Sequence, residues 1–205
     1  MITELRDKAT ICYSRLTHGK IIEKTNYRYD KLYSHSVFIF SSKSIEAQAT
    51  PFQTILMSDF IFKKCSKNVR DYIFLHELGH VKLNYFWQLL FYITVIPSFL
   101  LLFASILAIP FAFLSFLIYG FSISFVAFVF IDFVLFSFIV LILNWAMEGY
   151  AEIFAIKIIG VKKYKQCMEE MKKHSKKKNI FNWYFYRIRY PPEKILFWIY
   201  KRSIS

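Results

Sequence analysis

Between Lys82 and Asp132 the chain runs for 49 residues, Leu83–Ile131, without one Asp, Glu, Lys or Arg. A helix needs only about 20 apolar residues to cross a bilayer, so the block is too long for one span and, with its flanks, long enough for two. Apolar residues make up 56% of the 205, Phe alone contributing 24. That exceeds what soluble domains carry, so part of the apolar surface is expected to face lipid.

Two stretches fit as spans, Gln88–Ile109 and Ile123–Asn144, each 22 residues and about 33 Å long as a helix. Pro97 and Pro110 kink and end the first, and Pro110, Tyr119 and Gly120 mark the turn. Trp87 and Trp145 bracket this hairpin where indole rings favour the headgroup region. Asp132 falls inside the second span, where a carboxyl is expected to be protonated and hydrogen-bonded across the hairpin or within a homo-oligomer. An even number of spans returns the chain to the side it left. The expected division is 1–86 as the first part of a catalytic domain, 87–145 as a transmembrane hairpin, and 146–205 as the remainder of that domain.

The net charge of +13 is split around the apolar block: 13 Lys and Arg lie in residues 1–82, none in 83–156, and 14 in 157–205. Excess cations beside membrane helices mark the cytoplasmic side, which places both termini and the site below on the cytoplasmic face of a multi-pass cell-membrane protein. The Lys-rich stretch Lys162–Lys178 suits anionic lipid. No nucleic-acid fold signature accompanies it, so nucleic acid is set aside as a partner. Cys12, Cys65 and Cys167 are odd in number and form no CxxC pair, which fits a reducing compartment and no thiolate metal site. The first residues, MITELRDKATICYSRL, lack the apolar core of a signal peptide.

Short β-prone runs, Val37–Phe40, Ile45–Ala49 and Gln53–Met57, predict a small hairpin or sheet. From Asn68, read as an N-cap with Asp71 three residues on, apolar residues recur at helical spacing through His76 and His80. After the hairpin EGYAEIF continues as a helix, with Gly149 and Gly160 as its weak points. The fold class expected is mainly α with a minor β element, with two transmembrane helices inserted between the two site helices.

Those helices carry the chemistry. In YIFLHELGHVKLN, His76 and His80 stand four apart, so one helical turn stacks both imidazoles on one face with the spacing of zinc ligands. Glu77 is adjacent and can take a proton from a zinc-bound water without becoming a ligand. A catalytic zinc needs a third protein ligand, and NWAMEGYAEIF supplies Glu148 on the same side of the membrane. Glu152, one turn on, can accept the second ring N–H of a ligand histidine. The strand near Ile45–Thr50 can bind an extended substrate by β-augmentation.

HELGH, a two-span hairpin and then E-x-x-A-acid together resemble the HtpX-like and CAAX prenyl protease group of integral-membrane zinc metallopeptidases. The resemblance covers most of the chain: IEAQATPFQTILMSDFIFKKCSKNVRDYIFLHELGH is similar to the strand, strand, helix approach to HExxH, and RYPPEKI resembles the late HPP segment. It implies that His76, His80 and Glu148 hold zinc, that Glu77 is the general base and that Glu152 supports a ligand histidine. This chain departs from the group in Glu152 for Asp, Trp145 for Arg and Tyr190 for His, and in lacking two spans ahead of HExxH. Tyr190, with Arg187 and Arg189, is the candidate donor to the developing oxyanion.

The expectation is a membrane-anchored zinc metalloendopeptidase acting on protein or peptide substrates at the cytoplasmic surface, with membrane lipid as its other partner and quality control of membrane proteins as a role. Two spans cannot build the chamber of a CAAX prenyl protease, so prenylated substrates are set aside. The rivals are a receptor-type peptidase with one substrate, an inactive pseudoprotease or adaptor that keeps the zinc site, and, ranked last, a basic membrane protein that binds nucleic acid through Lys162–Lys178.

Overall fold

The structure, a computed structural model, describes residues 2–83, 123–174 and 190–202. The expected first span, its turn, Trp87, Arg187 and Arg189 lie outside the described residues. The elements are α1 (Ile2–Thr17), β1 (Ile21–Arg28), β2 (Ser34–Phe40), β3 (Ala47–Ala49), β4 (Ile55–Ser58), α2 (Asp59–Lys64), α3 (Lys67–Lys82), α4 (Ile123–Ile159), α5 (Val161–His174) and α6 (Glu193–Arg202).

The strands form a mixed four-stranded sheet in the order β1-β2-β4-β3, larger than the minor hairpin read from sequence. β1 pairs antiparallel with β2, β2 parallel with β4, and β3 antiparallel with β4. The two central strands are near-continuous apolar runs because both faces of the sheet are covered. Val37, Ile39, Ile55 and Met57 point to the core around α3. Phe38, Phe40 and Leu56 point the other way, onto Ile11 and Tyr13 of α1. β1 escaped the sequence reading because IIEKTNYR is an outer strand whose residues are exposed or half-buried, and α1 because its two buried residues, Thr10 and Ser14, are polar.

α3 begins two residues earlier than Asn68 suggested. Its N-cap is Ser66, whose side chain accepts the Val69 N–H. Glu170 of α5 reaches across to the same residue: the Ser66 N–H donates to Oε1 at 2.8 Å and the Ser66 hydroxyl to Oε2 at 2.7 Å. Those two bonds hold the Glu170 carboxyl below the ordinary carboxylate range. Asp71, read as half of a capping pair, is instead buried and accepts from the Tyr27 hydroxyl at 2.6 Å, tying β1 to α3.

α4 is one unbroken helix of 37 residues, about 55 Å long, and runs through both the 145/146 boundary and Gly149, which the sequence marked as a weak point. It ends at Gly160, which takes φ +82° and donates its N–H to the Ile156 carbonyl at 2.8 Å. Among the described residues one stretch, Ser137–Ile159, is long and apolar enough to cross a membrane. Its character changes along its length: Phe138, Ile139 and Ile142 are exposed, whereas Ala151, Ala155 and Ile156 are fully buried in the domain core.

Ser66→Ala should lower stability by about 1 kcal/mol, the usual cost of losing an N-cap, read by denaturant unfolding in detergent. Glu170→Gln should destabilise in the same direction. Because the folded pKa of Glu170 is lowered, its contribution is present above the unfolded carboxylate pKa and is lost as pH falls through the folded one; the variant and wild type should therefore converge in acid.

Candidate metal centre

Every residue of α3 from Asp71 to Gly79 is buried, as expected of a helix enclosed on all sides. The sheet covers one side and α4 another. At the crossing of α3 and α4 a Cβ built on Gly79 would stand 2.8 Å from the Ala151 Cα and 3.2 Å from its Cβ and O. Only glycine permits that approach. Gly79 lies three residues after His76 and one before His80, and Ala151 lies three after Glu148 and one before Glu152, so the crossing sets both side-chain pairs against each other.

Their geometry converges on one point. His76 Nε2 and His80 Nε2 lie 3.4 and 3.5 Å from the same Glu148 Oε2, and the three donor atoms are all within 4.8 Å of one another. A tetrahedral ion with bonds of about 2.0–2.2 Å requires donor separations of about 3.3–3.6 Å. The two histidine–carboxylate separations fall in that range and fit a divalent metal.

The other face of His76 is fixed as well. Its Nδ1 lies 2.8 Å from Glu152 Oε2. A carboxylate only accepts, which puts the ring proton on Nδ1 and leaves the Nε2 lone pair directed at the donor cluster. Glu152 is itself held by the Tyr72 hydroxyl at 2.9 and 2.8 Å and by Tyr164 of α5. Burial works against charge on His76, yet the hydrogen-bonding carboxylates of Glu148 and Glu152, with the charge of Glu77, raise its pKa well above the ordinary value. Burial, the Glu152 charge and the nearby Tyr164 and Tyr190 raise the Tyr72 pKa, so its hydroxyl remains a donor.

Glu77 stands apart from the three, accepting the Ala49 N–H of β3 on Oε2 at 2.6 Å. Tyr190 is half-buried next to Pro191, whose Cγ would lie 3.7 Å from a Cβ on Gly149, so the late segment packs beside Glu148. Tyr72, Tyr164 and the Ala49 N–H were not anticipated. Tyr72 was readable, since it stands one helical turn before His76 on the same face; Tyr164 and Ala49 carry no spacing signal.

Two crossed helices that gather two histidines and a glutamate, with a second glutamate, Glu77 of α3, bonded to the edge strand β3, define a metallopeptidase-type site. Residues 16–184 match Peptidase family M48, and the chain belongs to that family of metallopeptidases. Comparison with curated proteins and with solved structures returns no match.

Gly79→Ala should force the helices apart and cost about 1–3 kcal/mol, with loss of bound metal. Gly149→Ala, whose new methyl meets only ordinary contact, should keep both stability and metal. Thermal unfolding with metal analysis distinguishes the two.

Proposed function

We propose that this protein is a membrane-anchored zinc metalloendopeptidase that hydrolyses peptide bonds at the cytoplasmic membrane surface. The observation that carries the reading is the convergence of His76, His80 and Glu148, with His76 braced from behind by Glu152. His76, His80 and Glu148 are the proposed ligands. The imidazole-rich donor set with one carboxylate suits zinc over magnesium or calcium, which prefer all-oxygen sites. Zinc held there would acidify a water molecule and polarise the scissile carbonyl.

Within that frame each side chain has a task. Glu77 takes the proton of the attacking water on a carboxylate oxygen and returns it to the leaving amine. The Ala49 N–H bond sets the orientation of that carboxylate against the sheet edge. Glu152, anchored by Tyr72, keeps the His76 ring in one tautomer. Tyr190 is the proposed donor to the oxyanion, supported by its segment packing beside Glu148.

The substrate strand is proposed to pair with β3. Glu46 and Thr50, flanking β3, bond to Ser58 of β4 and to Thr54 just before it, through Ser58 N–H to Glu46 C=O at 2.9 Å and Thr50 N–H to Thr54 C=O at 2.8 Å. Antiparallel alternation therefore turns the backbone groups of Ala47 and the Ala49 carbonyl to the outer edge for pairing, while the Ala49 N–H on the same edge is held by Glu77. Membrane anchoring is supported by the uncharged block and by the exposed Val134, Phe138, Ile139 and Ile142 of α4. The cytoplasmic side is supported by the cations on both flanks of that block.

In detergent-purified full-length chain, wild type and Glu77→Gln should carry equal zinc, while casein cleavage by Glu77→Gln should fall by about 10²–10⁴. Glu148→Ala should lose zinc and cleavage together. Wild-type rates in Glu77→Gln would rule out the base assignment.

A further inference from the structure

The strand edge that meets Glu77 is fastened from its far side by α1, a helix that lies almost wholly ahead of the family-matched stretch, which starts at residue 16. Two contacts make the attachment. The Gln48 amide of β3 donates to the Tyr13 hydroxyl at 2.9 Å. At the end of the same strand, Thr50 and Thr54 Oγ1 lie 2.7 Å apart, Thr54 and Thr10 Oγ1 lie 2.9 Å apart, and the Thr10 hydroxyl donates to the Arg6 carbonyl at 2.8 Å.

These hydroxyls form a directed chain. Because Thr10 donates to Arg6, it accepts from Thr54, which in turn accepts from Thr50. Thr50 Oγ1 accepts the Phe52 and Thr54 N–H groups at 3.2 and 3.3 Å. Each hydroxyl thus has both a donor and an acceptor role filled, and the network is buried: Thr10 and Thr54 are 0% exposed and Thr50 6%. Satisfied buried polar networks specify one arrangement, because any shift leaves a polar group without its partner. The turn they close holds Gln53 at φ +55°, an uncommon value for a residue with a side chain. The His35 ring, 2.6 Å from the Gln53 carbonyl, braces it from β2.

We propose that α1 is a positioning clamp, which through Tyr13–Gln48 and Thr10–Thr54–Thr50 holds β3 at the height where its outer edge can pair with an extended peptide beside Glu77. The proposal rests on the peptidase reading given above. A three-residue edge strand has few ladder bonds of its own, and its partner β4 is held on the other side by β2. Besides α1, the β3–β4 hairpin is secured by that pairing, the Ala49–Glu77 bond, the His35 ring on Gln53 and the Ser42 and Ser44 hydroxyls on Glu46; the bonds from α1 are the ones that hold the Gln48 side chain and the Thr50–Thr54 pair. The clamp acts on substrate pairing and leaves the donor cluster on α3 and α4 untouched. Its signature is therefore a rise in KM with metal retained.

The test compares full-length wild type, Tyr13→Phe, Thr10→Val, Thr10→Ser and Thr17→Val in detergent, measuring metal content, amide hydrogen exchange and kinetics on a casein-derived fluorogenic peptide. Tyr13→Phe and Thr10→Val should speed exchange over residues 47–54 and raise KM, each by about three- to tenfold, as loss of one net hydrogen bond predicts. In both, kcat, metal content and exchange over α3 should be unchanged. Thr10→Ser restores the hydroxyl and should return to wild type. Thr17→Val, which removes an exposed α1 hydroxyl bonded only within or next to its own helix, should match wild type throughout. Unchanged hairpin exchange in both Tyr13→Phe and Thr10→Val, or loss of metal with a fall in kcat, would overturn the clamp. Exchange needs no turnover, so a wild type that cleaves nothing would defeat the peptidase reading while the hairpin exchange still decides the clamp.

Discussion

The close approach of α3 to α4 at Gly79 and Ala151 is the contact on which the site depends. A side chain larger than hydrogen at Gly79 would push the helices apart by more than packed interiors absorb, and both acid–histidine pairs straddle that one point. Glu148 meets His76 and His80 on one side of the crossing, and Glu152 meets His76 on the other. A single backbone contact thus sets the distances among four ionisable groups. The N-terminal anchor of α3, Ser66 held by Glu170, and the Tyr27–Asp71 bond to β1 fix the same helix at its other end. The remaining freedom, rotation of the His76 ring, is removed by Glu152 together with Tyr72 and Tyr164.

Much of this was legible in the sequence wherever spacing translates into geometry. Residues four apart on a helix must share a face, so the pairs His76 and His80, and Glu148 and Glu152, could be set on two helix faces before any coordinates. The apolar runs of β2 and β4 were legible because strands covered on both faces carry nothing else. What stayed hidden depends on tertiary contacts. β1 is an outer strand with little burial, and α1 attaches through threonine and tyrosine hydroxyls that no hydrophobic period reveals. Ser66 outcompeted Asn68 as N-cap because Glu170, more than a hundred positions away in sequence, accepts from its backbone and hydroxyl together. Gly149 is a weak point by propensity, yet the packing of α4 against α3 and the Pro191 segment carries the helix through it.

The continuity of α4 joins two properties that the sequence presented as separate segments. One end bears the exposed Phe138, Ile139 and Ile142, and the other bears buried Glu148 and Glu152 on the same rod. A glutamate pair on a helix this apolar would be costly to bury without partners. His76, His80 and Tyr72 of α3 and Tyr164 of α5 supply them, which is why a glutamate pair persists in a stretch otherwise apolar enough to cross a bilayer. Cys65 and Cys167 are buried, with burial pushing the Cys167 thiol up to about 11, and all three cysteines are free. Neither buried thiol is thereby available as a ready thiolate ligand.

X-ray absorption spectroscopy of the metal in the purified full-length protein reads the donor atoms themselves. A site built from His76, His80 and Glu148 should show one zinc per chain with two imidazole nitrogens and oxygen donors at about 2.0–2.2 Å and no sulfur shell. A shell at about 2.3 Å from thiolate, or protein never exposed to chelator that carries no metal, would contradict the assignment of the site to His76, His80 and Glu148.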